Sequence, residues 1–172
     1  PCREVHSATA PRASRASGNP MNDRLRYAGA ACQTDQPNPA DRAGMRANTT
    51  RIVDMIDAAV AGSAPFLPVR LVVFPEFAHA APVYASASDL RKHLTVPIPN
   101  EHTERLAAKA REHDIFIQSG TMLEEDAAYP GAVFNTTCLI GPDGIACKYR
   151  KVNTWIPFEV HTSPHDIPGY AE

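Results

Sequence analysis

The stretch Val69-Arg70-Leu71-Val72-Val73-Phe74-Pro75-Glu76-Phe77 decides the fold. Its first six residues are mostly apolar and β-branched, which suits a central strand covered on both faces. Pro75 has no N–H to offer a ladder, so it ends the strand and turns the chain. Glu76 then projects from the strand's carboxyl end, where sheets of alternating strands and helices collect their chemistry. Phe74 and Phe77 flank it, and aromatic surroundings make a carboxylate a better proton acceptor. By itself the motif fits a solvated strand-end glutamate as well as a general base.

Upstream, residues 25–34 mix small and apolar side chains and read as a first strand, broken by Pro37 and Pro39. Residues 41–60 carry Met45, Ile52, Ile56, Ala59 and Val60 on one helical face, and Gly62 is expected to close that helix. Downstream, residues 79–99 hold Pro82, Pro97 and Pro99 and read as an irregular stretch, expected to line a pocket. A second helix is predicted from Asn100, a good N-cap, to about His113, with Glu101 and Glu104 in its first turn. Residues 115–120 form another buried-type strand. Residues 133–140 and 145–149 flank Gly141-Pro142-Asp143-Gly144, a strong hairpin turn. The order β-α-β-α-β-β, without internal repeats, is that of an α/β layered fold.

The 172 residues allow one domain with a real core. Lys and Arg number 17 against 19 Asp and Glu, a net charge of −2, and no basic face stands out. Nucleic acid and acidic membrane are therefore poor partners for it. No apolar run approaches the roughly 20 residues needed to span a bilayer. Cys2, Cys32, Cys138 and Cys147 are widely spaced, without a CxxC pair or a zinc-type cluster, so a reduced, cytoplasmic setting is the simplest fit. Residues 1–20, rich in Ser, Ala, Arg and Pro, lack apolar periodicity and are expected to be a disordered or spurious extension, leaving 21–172 as the domain.

Two further segments could carry chemistry. Lys148-Tyr149-Arg150-Lys151 follows the hairpin; alternating basic residues at a strand end are usually a wet surface, but a lysine in a dry site can stabilise an oxyanion. Trp155-Ile156-Pro157-Phe158-Glu159 places a second carboxylate eight positions beyond Lys151, in an aromatic, proline-stiffened loop. His161 and His165 are four apart, but Pro164 spoils a helical metal pair, and no metal is expected. Asn48-Thr49-Thr50 and Asn135-Thr136-Thr137 fit glycosylation sequons, one inside a predicted helix and the other in a strand, and read as coincidence. With no GxGxxG or GxxxxGK[ST] loop, no nucleotide cofactor is implied.

Taken together and in this order, PEF at a strand end, GPDG followed by KYRK, and an aromatic loop with Glu resemble the nitrilase superfamily of carbon–nitrogen hydrolases from about Leu25 onward. The resemblance implies a four-layer α-β-β-α sandwich, of which this chain would supply the N-terminal part. It assigns Glu76 to the general base and Lys151 to the oxyanion lysine. Residues 151–159 are similar to the segment of aliphatic-amidase-type members that bears a second glutamate, which makes Glu159 the fourth catalytic group, positioning substrate or assisting the lysine. KYRKV is also similar to N-carbamoyl amide hydrolases, without their HLPG-like continuation. The implied substrates are small amides, carbamoyl compounds or nitriles, the implied assembly a homodimer or larger homo-oligomer, and no cofactor is needed.

One departure matters. The family's nucleophilic cysteine lies in a strand-to-helix turn beyond the second glutamate, and no cysteine follows Glu159 here. The expectation is therefore a domain incomplete at its C-terminus and inactive alone. The alternative is an inactive homologue that serves as a binding or partner subunit.

Overall fold

The computed structural model describes residues 25–155 and 158–170. Strands β1 (Ala28–Ala31), β2 (Val69–Val73), β3 (Phe116–Glu124), β4 (Phe134–Gly141) and β5 (Gly144–Arg150) form one sheet in the order β1-β2-β3-β4-β5. The first three strands pair parallel, and β3, β4 and β5 pair antiparallel. Helices α1 (Arg42–Ser63), α2 (Ala87–His93) and α3 (Glu101–His113) occupy the connections, and a 3-10 turn (Pro164–Asp166) lies near the end. The chain is a mixed α/β fold, as its alternating pattern requires.

Local chemistry sets the element ends. Asp41 caps α1 by accepting from Gly44 N–H at 2.8 Å. Asn100 caps α3 by accepting from the His102 and Thr103 N–H groups, while Thr103 Oγ1 accepts from Asn100 N–H. The hairpin joining β4 to β5 turns at Gly144, whose φ of +109° suits a residue without Cβ. Ile52 and Ile56 of α1 and Leu106, Ala107 and Ala110 of α3 pack with Val72, Ile117, Cys138 and Ile140, so both helices cover one face of the sheet. On the other face Phe116 and Tyr149 are 45% and 56% exposed. Of the four layers that the resemblance implies, the described residues thus form two: one helical layer and one sheet.

The structure departs from the sequence-based expectation in four places. The first strand spans only Ala28–Ala31, since only these residues pair with β2. Helix α1 runs through Gly62 to Ser63, because a helix tolerates one exposed glycine near its end. Strand β3 continues to Glu124 past a register shift between Gln118 and Thr121. Residues 79–99 are not wholly irregular. Ser86 accepts from Asp89 N–H at 3.0 Å and starts α2, a seven-residue helix too short for apolar periodicity to announce. Ala80, Leu90, Leu94 and Val96 then pack with Met45, Met122, Leu123 and Val133, so much of that stretch is core. Residues 1–20 lie outside the described residues.

Candidate active site

Three segments converge on one polar cluster. The turn after β2 supplies Glu76, the residue after β5 supplies Lys151, and the following loop supplies Glu159. Lys151 Nζ donates to Glu76 Oε1 at 2.8 Å and to Glu159 Oε2 at 2.5 Å. Strand β4 adds Asn135, whose Nδ2 donates to Glu76 Oε1 at 2.8 Å and to Glu159 Oε1 at 2.7 Å. Trp155 N–H donates to Glu159 Oε2 at 2.8 Å. The three residues singled out from sequence therefore meet, around a fourth that was read only as part of a sequon.

The Glu76 turn is tightly made. Phe77 has a φ of +60°, and its N–H donates to Thr121 Oγ1 at 2.7 Å. Strand β3 comes this close because of Gly120, where a Cβ would sit 2.6 Å from Pro75 O, and whose own φ is +74°. Phe74 faces the core at 2% exposure, so only Phe77 of the two flanking aromatics stands beside the site. Phe77 meets Phe158 edge-on at 6.0 Å, and Phe158 lies 6.1 Å from Trp155, giving the cluster an aromatic neighbourhood.

Beneath the turn, His79 is fully buried. Its Nε2 lies 3.0 Å from Ser119 O, and its Nδ1 lies 3.1 Å from Thr49 Oγ1, which is 2.8 Å from His102 Nδ1. Burial first, then the nearby His102, push His79 down to about 3, so the ring is neutral. A neutral ring has one N–H, and Ser119 O can only accept; hence Nε2 donates and Nδ1 carries no proton, while the Thr49 hydroxyl beside it donates to Met45 O at 3.0 Å. This chain ties the turn to α1 and α3.

Strand β5 and its exit place the cation. Lys151 N–H donates to Asn135 O at 2.8 Å, which sets the two residues side by side at the end of the β4–β5 ladder. Glu159 is held by its own turn: its N–H donates to Trp155 O at 3.0 Å, and Thr162 N–H donates to Glu159 O at 3.2 Å.

Burial separates the two carboxylates. The Glu159 side chain is 1% exposed, that of Lys151 25% and that of Glu76 43%. Burial alone would raise Glu159, but Lys151, the Trp155 N–H and Asn135 outweigh it and hold the carboxyl below its usual range. Burial alone would lower Lys151, but Glu159 and Glu76 outweigh it and hold the ammonium above its usual range. Both Glu159 oxygens are taken up. Among the described residues, Glu76 Oε2 has no donor, and Lys151 gives only two of its three N–H bonds. One acceptor and one donor remain for a visitor.

The other face of β4 carries a different ion cluster, which sequence reasoning missed. Buried Glu124 accepts from Arg150 Nε at 2.9 Å, Arg150 Nη2 at 2.8 Å, Lys148 Nζ at 2.5 Å and Thr136 Oγ1 at 2.7 Å. Arg150 also pairs with Asp126 and lies 3.9 Å from the Phe134 ring centroid. Burial would raise Glu124, but Arg150, Lys148 and Thr136 hold it below its usual range. Both missed features had a signal: polar Asn135 and Thr136 inside the apolar run of residues 133–140 demand buried partners.

The remaining candidates lie elsewhere. His161 Nε2 donates to Ala85 O at 2.7 Å, and His165 sits in the 3-10 turn. Asn48 is buried in α1 and donates to Pro37 O and His79 O. Asp57, Glu112 and His113 cluster at the surface, but Lys109 Nζ already lies 2.8 Å from Asp57 and 2.9 Å from Glu112, where a cation would sit. Cys138 is buried in β4, and burial followed by the charge of Glu124 pushes its thiol up to about 12. Burial also raises Cys32.

Comparison with known proteins shows which family and fold the chain shares. The family model described as carbon-nitrogen hydrolase matches residues 30–170. Human omega-amidase NIT2 is 38% identical over 73 residues, 42% of this chain and 22% of that protein, and the Xenopus tropicalis omega-amidase matches to the same extent. Among solved structures, Saccharomyces cerevisiae Nit3, a nitrilase-superfamily member, superposes with a TM-score of 0.62 at 25% identity, covering 79% of this chain and 47% of that one. An N-terminal amidase bound to an Asn-Glu-Ala peptide superposes with a TM-score of 0.63 at 17% identity, covering 78% of this chain and 30% of that one. The chain thus spans under half the length of these relatives.

Proposed function

This chain belongs to the carbon-nitrogen hydrolase family, the nitrilase superfamily, and from that premise we propose that its cluster serves hydrolysis of small amides by a glutamate, a lysine and a cysteine thiol. The observation that carries the reading is the unspent pair: among the described residues, Glu76 Oε2 has no donor, beside a Lys151 ammonium with one N–H to give. Acyl transfer needs one of each. Glu76 Oε2 takes the proton of a thiol, and the thiolate attacks the amide carbon. Lys151 donates to the oxygen as it becomes negative. Collapse of that intermediate expels ammonia or an amine, which carries away the proton held by Glu76. Water then gives a proton to Glu76 and attacks the thioester, releasing the acid and restoring the thiol. Glu159, with both oxygens committed, holds Lys151 in place rather than touching substrate.

The omega-amidase relatives favour an amide over a nitrile or carbamoyl substrate. The thiol in this reading is neither Cys138, whose sulfur is buried and held protonated, nor Cys32, which burial also raises. That same observation favours a second reading, in which the cluster binds an amide without cleaving it. Ammonia release from a panel of primary amides separates the two. In a protein that also supplies the thiol, the first reading predicts turnover, and Glu76→Gln or Lys151→Ala abolishes it while the far-UV circular dichroism stays unchanged. Near-native turnover in either variant overturns the assignment of roles.

A further inference from the structure

Resting on the reading above, we propose that Asn135 is a positioning residue of the site: its amide bridges the two carboxylates and so selects which oxygen of Glu76 works as the base. Four polar side chains form a closed ring. Lys151 Nζ joins Glu76 Oε1 to Glu159 Oε2, and Asn135 Nδ2 joins Glu76 Oε1 to Glu159 Oε1. Two anions share one cation, and a neutral amide with two N–H bonds spans the remaining gap. A second cation there would quench the base; an apolar side chain would leave two carboxylates to repel each other.

The orientation of the amide is not in doubt. Its Nδ2 lies within hydrogen-bond reach of two carboxylate oxygens, which only accept, so the nitrogen must face them. The consequence is visible on its other side, where buried Asn135 Oδ1 has no partner among the described residues. Buried polar atoms are almost always satisfied, and unsatisfied ones concentrate where structure is spent on function. Aiming both N–H bonds at the carboxylates turns the carbonyl the other way. Because Asn135 and Lys151 both load Glu76 Oε1, the proton acceptor that remains is Oε2. The backbone bond from Lys151 N–H to Asn135 O keeps amide and ammonium in fixed register.

The test uses two variants and one measurement on the unmodified protein. Asn135→Asp keeps the shape and removes both donors, whereas Asn135→Leu removes donors and polarity together. With Glu side chains labelled with ¹³C, the Glu159 titration midpoint is expected to move up toward the ordinary carboxylate value in both variants, while that of Glu124 stays in place. Turnover of an amide is expected to fall about a hundredfold in kcat, with KM within about threefold. A Glu159 titration unchanged in Asn135→Asp overturns the proposal, as does turnover of that variant within threefold of the parent. In the unmodified protein both Asn135 side-chain protons are expected to exchange slowly with solvent; exchange at the free-amide rate overturns the proposal even where neither variant folds. The titration and exchange need no substrate, so an inactive parent protein would sink the hydrolase reading while these two readouts still decide the asparagine.

Discussion

Two ion clusters stand back to back on β4, and they spend their hydrogen bonds differently. Around Glu124 the accounts close: Arg150, Lys148 and Thr136 fill both carboxylate oxygens, Asp126 takes another Arg150 N–H, and the guanidinium lies over Phe134. Two anions face two cations. Around Glu76 two anions face one cation, and an asparagine fills the gap, leaving one oxygen and one N–H without a partner among the described residues. The cluster around Glu124 uses up its capacity, whereas the proposed site keeps some back. Both arise from one strand, because alternation sends Thr136 to one face and Asn135 to the other.

The sharpest way to break this comparison is to remove one central charge from each cluster. Lys151→Ala is expected to cut amide turnover about a thousandfold, as loss of an oxyanion donor does; turnover assays on folded protein, checked by circular dichroism, decide it. The corresponding loss on the other side is one of stability. Glu124→Ala takes the buried carboxylate from partly buried Arg150, which keeps only Asp126, and from exposed Lys148, and is expected to destabilise the fold by about 3 kcal/mol in urea unfolding. Glu76→Ala, at a half-exposed position, is expected to change stability by less than about 1 kcal/mol. If the two glutamates cost the same, the distinction between the clusters fails.

Gly120→Ala tests the turn that carries Glu76. The new Cβ would meet Pro75 O at 2.6 Å and sit at a φ of +74°, so a loss of roughly 1–3 kcal/mol is expected, together with reduced turnover from the displaced carboxylate. A further expected effect is a pH slope. An unfolded histidine binds its proton near 6.5 and buried His79 only near 3, so between those values the unfolded state holds more protons and stability falls as pH falls. Glu159 and Glu124, both held low, add to the loss below about 4.5. Burial also holds His102 low, so thermal melts across this range should show the decline beginning above the carboxylate region, and His79→Gln should make that upper part shallower without abolishing it.

Much of this was legible in the sequence. The apolar run 69–74 and Pro75 announced a strand ending at Glu76, Asn100 announced α3, and Gly141-Pro142-Asp143-Gly144 announced the hairpin that delivers Lys151. These signals are local: a residue type acting on its own backbone or its near neighbours. Helix α2 was not legible, because seven residues anchored mainly by Leu90 and Leu94 offer too little periodicity. Nor was the role of Asn135, since an asparagine within a strand looks the same whether it faces water or two carboxylates.

The sequence by itself determined the α/β order, the strand ends and the three charged residues placed at them. Tertiary structure alone decided what those charges meet. Sheet register set Asn135 beside Lys151, the missing Cβ of Gly120 let β3 approach the Glu76 turn, and side-chain alternation parted Lys151 from Arg150. The reason is that hydrogen bonds across 59 or 75 residues depend on ångström-scale placement of separate elements, which no local preference encodes.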